Sequence, residues 1–143
     1  PLGKKAPLNH FLYGGGMWHY TVADKKPLEG LTLHDGIFDL KIEDKKHPDR
    51  LKYFADGSEG WVAYEKDDLV FIKTFDDIDY EKLPLDQSEI EVYMNPKRYI
   101  EVEEHGTYTL LKPGERLDWQ VKWHLRQKAG KDMTPDEIRE IIK

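Results

Sequence analysis

Cysteine is absent from the 143 residues, which excludes disulfide frameworks, thiolate zinc sites and cysteine nucleophiles together. Serine occurs only at Ser58 and Ser88. Neither sits in a Gly-x-Ser-x-Gly elbow, so serine-based nucleophilic catalysis is disfavoured. No apolar run approaches the length of a membrane span, and no signal-peptide apolar region is visible. Lysines and acids are interspersed at a formal net charge of -6, and no basic stripe is available to neutralise phosphates. Neither a membrane nor a nucleic-acid partner is expected, and the chain is expected to act in water. A cysteine-free chain suits cytosol and periplasm equally. Pro1 is not a translation start, so the chain reads as a processed product or one segment of something longer. Pro1-Leu2-Gly3 has the look of a protease-cleavage scar and carries no weight in fold reasoning.

What is present is enough for one ordinary domain with a single core. Aromatic residues make up 12% of the chain, with four tryptophans; they supply core material and flat faces on which sugars stack. Residues 1–60 read as a loop-rich segment with short strands, at Met17–Val22 and Ile37–Ile42, and the stretch from Glu43 to Gly60 reads as polar and turn-forming. Gly14-Gly15-Gly16 reads as a turn, since no Gly-Lys-Ser/Thr follows it. Residues 61–126 are expected to hold the core strands: WVAYE, DDLVFIKTF, EIEVYMN, RYIEVEEH, TYTLL and LDWQVKWHLR, separated by turns at Lys66-Asp67, Asn95-Pro96, His105-Gly106 and Pro113-Gly114. Short strands with no helical period between them predict an all-β fold, an antiparallel β-sandwich or barrel. Residues 127–143 read as a linker and a short C-terminal α-helix. Thr134 caps that helix, Pro135 occupies its first turn, Glu137 completes a capping box, and Ile138, Ile141 and Ile142 form its apolar stripe.

Successive strand side chains point to opposite sides. Leu117, Trp119, Val121, Trp123 and Leu125 are therefore expected on one buried face, with Asp118, Gln120, Lys122, His124 and Arg126 on the other. If both tryptophans are in the core, truncating either costs roughly 3 to 5 kcal/mol. In the preceding hairpin Ile90, Val92 and Met94 should meet Ile100 and Val102 on the core side. The opposite side then collects Glu91, Tyr93, Tyr99, Glu101 and Glu103. Like charges on neighbouring sheet positions are mildly destabilising, so solvent, a nearby Lys or Arg, or a polyhydroxylated ligand must offset them. That side reads either as a solvated outer wall or as a concave ligand face.

The order of segments resembles the C-terminal half of galactose mutarotase-like (aldose 1-epimerase-like) β-sandwich proteins, especially a bacterial subgroup of unassigned function. The residues that carry the resemblance are Gly60-Trp61-Val62-Ala63-Tyr64, Glu101-Val102-Glu103, Leu111-Lys112-Pro113-Gly114-Glu115 and Trp123-His124-Leu125. They span roughly residues 60 to 126. The resemblance implies a supersandwich-like fold, here a half or a compact relative, since complete members run to about twice this length. It also implies a carbohydrate ligand on the concave face and, as partner, an N-terminal half or a second subunit. Mutarotases open the sugar ring with a glutamate base and a histidine acid, within reach of two oxygens of one sugar. On the resemblance, Glu103 matches the base, with Glu101 on the same face as the alternative. His19, in MWHYTV, and His10, in LNHFLYGG, are the candidates for the acid. Glu91, Tyr93, Tyr99, Glu101 and Trp18 complete the expected substrate-binding set.

Other chemistries fit less well. His10 and His19 with Glu101 or Glu103 would make a metal cluster on paper, but no ordered His-x-His-x-Glu stretch exists, and neither a metal nor a cofactor is expected. Glu91 and Glu103 are candidate paired carboxylates for glycoside hydrolysis, with nothing in the sequence to set their separation. His34 and His47 fall in turn-like contexts, His105 in a tight turn, and His124 opposite the tryptophan stripe. The expectation is a carbohydrate-binding sandwich with aldose-epimerase chemistry through Glu103. The rival is a non-catalytic sugar-binding or accessory module that packs on another chain.

Overall fold

Short runs rich in β-branched and aromatic residues form the strands. The structure, a computed structural model, describes residues 8–14, 19–21, 30–34, 36–43, 50–84, 87–95 and 98–143, with the backbone alone for 8–14, 19–21, 42, 43 and 51. Among the described residues there are ten strands: β1 (Leu8–Gly14), β2 (His19–Thr21), β3 (Leu31–His34), β4 (Ile37–Glu43), β5 (Leu51–Ala55), β6 (Trp61–Lys66), β7 (Leu69–Thr74), β8 (Ile90–Asn95), β9 (Tyr99–Glu104) and β10 (Lys122–Gln127). A 3-10 turn at Tyr80–Lys82 and helix α1 (Pro135–Ile142) complete the set. Residues 1–60 contribute five of the strands.

The strands form a six-stranded sheet in the order β10-β7-β6-β1-β4-β3 and a four-stranded sheet in the order β2-β5-β8-β9. All their pairings are antiparallel. Phe38, Leu40, Val62 and Phe75 from the first layer meet Tyr53, Ala55, Ile90, Val92 and Met94 from the second in one buried cluster, so the fold is an all-β antiparallel sandwich. Lys73 of β7 reaches across to β9, where it donates to the Val102 carbonyl and pairs with Glu104 at 3.0 Å.

The other face of the six-stranded sheet is covered by α1. Alternate residues of β6 and β7, Trp61, Ala63, Val70 and Ile72, pack with Ile37 against fully buried Ile138. The helix begins as its sequence demands: the Thr134 hydroxyl accepts from the Glu137 amide at 3.2 Å while the Glu137 carboxylate accepts from the Thr134 amide at 2.8 Å. Lys131, and then bonds donated by the Thr134 amide and hydroxyl, hold the Glu137 carboxyl down at about 2. Arg139 clamps Glu59 with two bonds, of 2.8 and 3.1 Å. Buried Glu65 ties down the approach to the helix, accepting from Lys128 Nζ at 2.7 Å and from the Met133 amide at 2.9 Å. Gly60 makes the sharp entry to β6: its φ is +70°, and a β-carbon there would lie 2.5 Å from the Phe75 carbonyl oxygen.

Several expectations are corrected. The stretch read as polar and turn-forming contains β5, with Tyr53, Phe54 and Ala55 all buried. Both of its faces are covered, so the period-two signal is lost. Residues 107–121, expected to hold the strand TYTLL and the start of LDWQVKWHLR, form no strand. Ordered strand resumes only at Lys122. The tryptophan stripe is not a single core face. Trp119 and Val121 pack partly buried against the inter-sheet core, but Trp123 is 71% exposed and Leu125 59%. The reason is topological: β10 is the edge of the wider sheet, beyond β7, and β9 reaches only as far as β7. Trp123 rests edge-on against Phe71 at 5.4 Å, under the Lys73 ammonium.

Candidate functional site

The pairing of β8 with β9 gives the expected face. Glu91 lies opposite Glu103, Tyr93 opposite Glu101 and Asn95 opposite Tyr99. Ile90, Val92 and Met94 on the other side are buried in the core, with Ile100 and Val102 packed against it. β5 extends the rows, setting Phe54 beside Glu91 and Lys52 beside Tyr93. The outward side of the four-stranded sheet thus carries carboxylates, two tyrosines and a lysine. The Tyr93 and Tyr99 rings are 6.0 Å apart and tilted by 40°.

This side is not an evenly wet wall. Glu91 is 3% exposed and Phe54 equally buried, whereas Tyr99 is 49% exposed and Glu101 is open to solvent. The cross-strand repulsion between Glu91 and Glu103 is offset by Lys52, whose Nζ lies 2.5 Å from Glu91 Oε1. The hydrogen bond to Glu91 raises the Lys52 pKa against the opposing effect of burial, with added attraction from Glu91, Glu103 and Glu101. Among the described residues, no lysine or arginine is paired with Glu103 in this way. Desolvation, then the charges of Glu91 and Glu101, push its carboxyl above the usual range, against the pull of Lys52 and His105.

His105 is the residue that sequence reasoning missed. The sequence pattern puts it in a tight turn, yet it continues the alternation Glu101, Glu103, His105 one step past the end of β9. Its amide donates to the Glu89 carbonyl at 2.8 Å, which keeps the segment on the sheet. Its Nδ1 lies 2.7 Å from the Ser88 carbonyl oxygen, and its Nε2 lies 3.8 Å from Glu91 Oε2. Donor atoms of Glu91, Glu103 and His105 all fall within 4.8 Å of one another. The period-two pattern extended through His105 was the available signal.

The expected histidines stand elsewhere. His10 is on β1 in the other sheet, in register between Lys41 and Glu65. His19 is on β2 in register with Ala55, the row that continues through Ile90 to Glu104. Tyr20 holds the register position of the Phe54, Glu91 and Glu103 row. The side chains of His10 and His19 lie outside the described residues, as does Trp18 altogether. Of the expected set, Glu91, Tyr93, Tyr99, Glu101 and Glu103 are brought together.

Two other groups of charged residues lie away from this face. Asp56, Asp77 and Glu89 also converge within 4.8 Å, but both Glu89 oxygens accept backbone amides, from Gly57 at 3.0 Å and Ile78 at 2.9 Å. A cavity of about 420 Å³ between β4 and the start of α1 is lined by charges that pair among themselves. Lys41 there lies 3.8 Å from Asp39 and 3.7 Å from Asp132, and Arg139 lies 3.1 Å from Asp136. No described helix is long and apolar enough to cross a membrane. No curated protein and no solved structure was found to match the chain. The family model described as a domain of unknown function, DUF4380, matches residues 19–126, from β2 through nearly all of β10, and the chain belongs to that family.

Proposed function

We propose that the outward side of the four-stranded sheet binds a carbohydrate, and that Glu103 and His105 interconvert its anomers. The observation that carries the reading is the convergence of Glu91, Glu103 and His105 beside the Tyr93 and Tyr99 rings. Carboxylates and a lysine offer the dense acceptors and donors that sugar hydroxyls need. The tyrosine rings offer apolar faces for C–H groups. Glu103, resembling the base of galactose mutarotase-like proteins, takes the proton from the anomeric hydroxyl. The C1–O5 bond breaks and the ring oxygen receives a proton from His105 Nε2. In its imidazolium form His105 keeps its Nδ1–H bond to Ser88 while carrying that second proton. Reclosure on either face of the aldehyde exchanges the anomers, and the two protons return.

The test is NMR anomer exchange across a panel of aldoses, in buffer containing a chelator, with wild type, Glu103→Gln and His105→Gln. Acceleration by the wild type on at least one sugar is expected, falling by about 100-fold or more in each variant. Absence of acceleration on every sugar retires the catalytic reading. Absence of sugar-induced shifts at Tyr93 and Tyr99 as well retires carbohydrate binding.

A second reading, of an accessory module that packs on another chain, is favoured by a different observation. Tyr108, Leu110, Leu111, Leu117, Trp123 and Leu125 are all exposed large apolar residues, in one stretch of chain that ends on the edge strand β10. An apolar run of this kind is a usual mark of an interface. Sedimentation of the protein with and without Trp123→Ser separates self-association through this edge from a monomer.

A further inference from the structure

We propose that Glu91, Glu103 and His105 form a binding site for a divalent transition-metal ion, with one imidazole nitrogen and two carboxylate oxygens as protein ligands. The site goes beyond the sugar reading and does not depend on it. The tautomer of His105 carries the argument. Its Nδ1 lies 2.7 Å from the Ser88 carbonyl oxygen, and a carbonyl only accepts, so Nδ1 must hold the proton. In the neutral ring, Nε2 then presents a lone pair toward Glu91 Oε2 at 3.8 Å, beyond hydrogen-bond distance. In this neutral form acceptor faces acceptor, and a metal ion between them can take the place that the second proton holds in the imidazolium. An imidazole whose other nitrogen donates to a backbone carbonyl is also the usual support of a metal-bound histidine, because it fixes the ring and its lone pair.

Spacing and charge agree. Two ligands held at about 2.0–2.1 Å in a tetrahedral shell stand roughly 3.3 Å apart. The Glu91–His105 pair at 3.8 Å is close to that separation already. Glu103 is partly exposed, and a turn of its carboxylate closes the third side. Lys52 occupies Glu91 Oε1 and leaves Oε2 as the donor. Glu91, buried at 3% exposure, is thereby held in one orientation. The mixed nitrogen and oxygen set suits zinc or manganese better than calcium or magnesium, which take oxygen alone. Three protein ligands leave at least one position for water or for a hydroxyl of a bound molecule. The cluster of Asp56, Asp77 and Glu89 differs: it offers oxygen alone, and each Glu89 oxygen already accepts an amide.

Isothermal titration of chelator-stripped protein with ZnCl2 is the direct test, and the expected result is one site per chain that His105→Ala weakens by about tenfold or more. Glu103→Gln should weaken it comparably. Manganese titrated into 15N-labelled wild type supplies a readout free of folding artefacts. Broadening should begin at residues 88–92 and 102–106, the neighbours of the three ligands in sequence and across the hairpin. Zinc affinity unchanged in a folded His105→Ala variant, or manganese broadening centred elsewhere, overturns the proposal. The chelator in the sugar assay keeps the outcomes apart: metal binding without anomer exchange leaves this site standing and removes the catalytic reading, and exchange without metal binding does the reverse.

Discussion

Replacing Lys128 with methionine should unfasten the C-terminal helix by stranding a charge. The Lys128 side chain is 7% exposed and the Glu65 side chain 1%, with 2.7 Å between them. Methionine fills much of the same volume, so the main loss is the ammonium. Glu65, 1% exposed, then loses its ammonium partner and keeps the Met133 amide. Removing one partner of a buried ion pair costs about 3–5 kcal/mol, and the surviving amide bond argues for the lower end. For a chain of this size about 3 kcal/mol lowers the melting temperature by roughly 6–12 °C, measured by calorimetry together with urea denaturation. The double variant Glu65→Gln/Lys128→Met has no stranded charge, and its amide oxygen still accepts from Met133. It should recover part of the loss, with a coupling of about 1–3 kcal/mol. pH adds an independent check. Burial lowers the Lys128 pKa, but the hydrogen bond and charge of Glu65, helped by Asp132, outweigh it and raise the value above 10.5. The folded state therefore holds this proton more tightly than the unfolded chain. That share of stability is complete below about pH 10.5 and is lost as pH rises through the folded value. Lys128→Met should lack this alkaline loss. A single variant within about 1 kcal/mol of wild type, or a double variant showing the plain sum of both singles, would refute the reasoning.

The two neighbouring tryptophans should separate cleanly in urea denaturation. Trp119→Ala is expected to cost about 2–4 kcal/mol, because the ring packs on the inter-sheet core and against Gly106. Trp123→Ala should lose only its contacts with Phe71 and Lys73, about 1 kcal/mol; equal losses would mean that β10 is not the uncovered edge. At the helix start, Thr134→Ala should cost about 1 kcal/mol of stability. In the same variant the Glu137 carboxyl, followed by carbon NMR, should titrate part of the way back from about 2 toward 4.5.

Period-two alternation made the β8–β9 hairpin, its buried Ile and Val side and its Glu and Tyr side legible from the chain alone. So were the sandwich class, because short runs separated by turn residues recur along the chain, and the C-terminal helix with its capping box, which depends on residues near in sequence. Three things depended on packing between distant residues. β5 was hidden because Phe54 and Tyr53 are buried on opposite faces, which erases the alternation. The Trp123 and Leu125 row was read as core because alternation tells which side chains share a face and not whether a second sheet is wide enough to cover it. The candidate site was legible in its carboxylates and tyrosines and not in its histidine. His105 joins Glu91 only through the register of two strands and the pull of the Ser88 and Glu89 carbonyls, and Lys52 neutralises Glu91 only because β5 lies beside β8. Local pattern determined the two strands of the β8–β9 hairpin and which sides they present. The order of strands in the sheets, and with it which charges meet, was decided by tertiary structure, since pairing energy is nearly indifferent to sequence distance while side-chain alternation is blind to it.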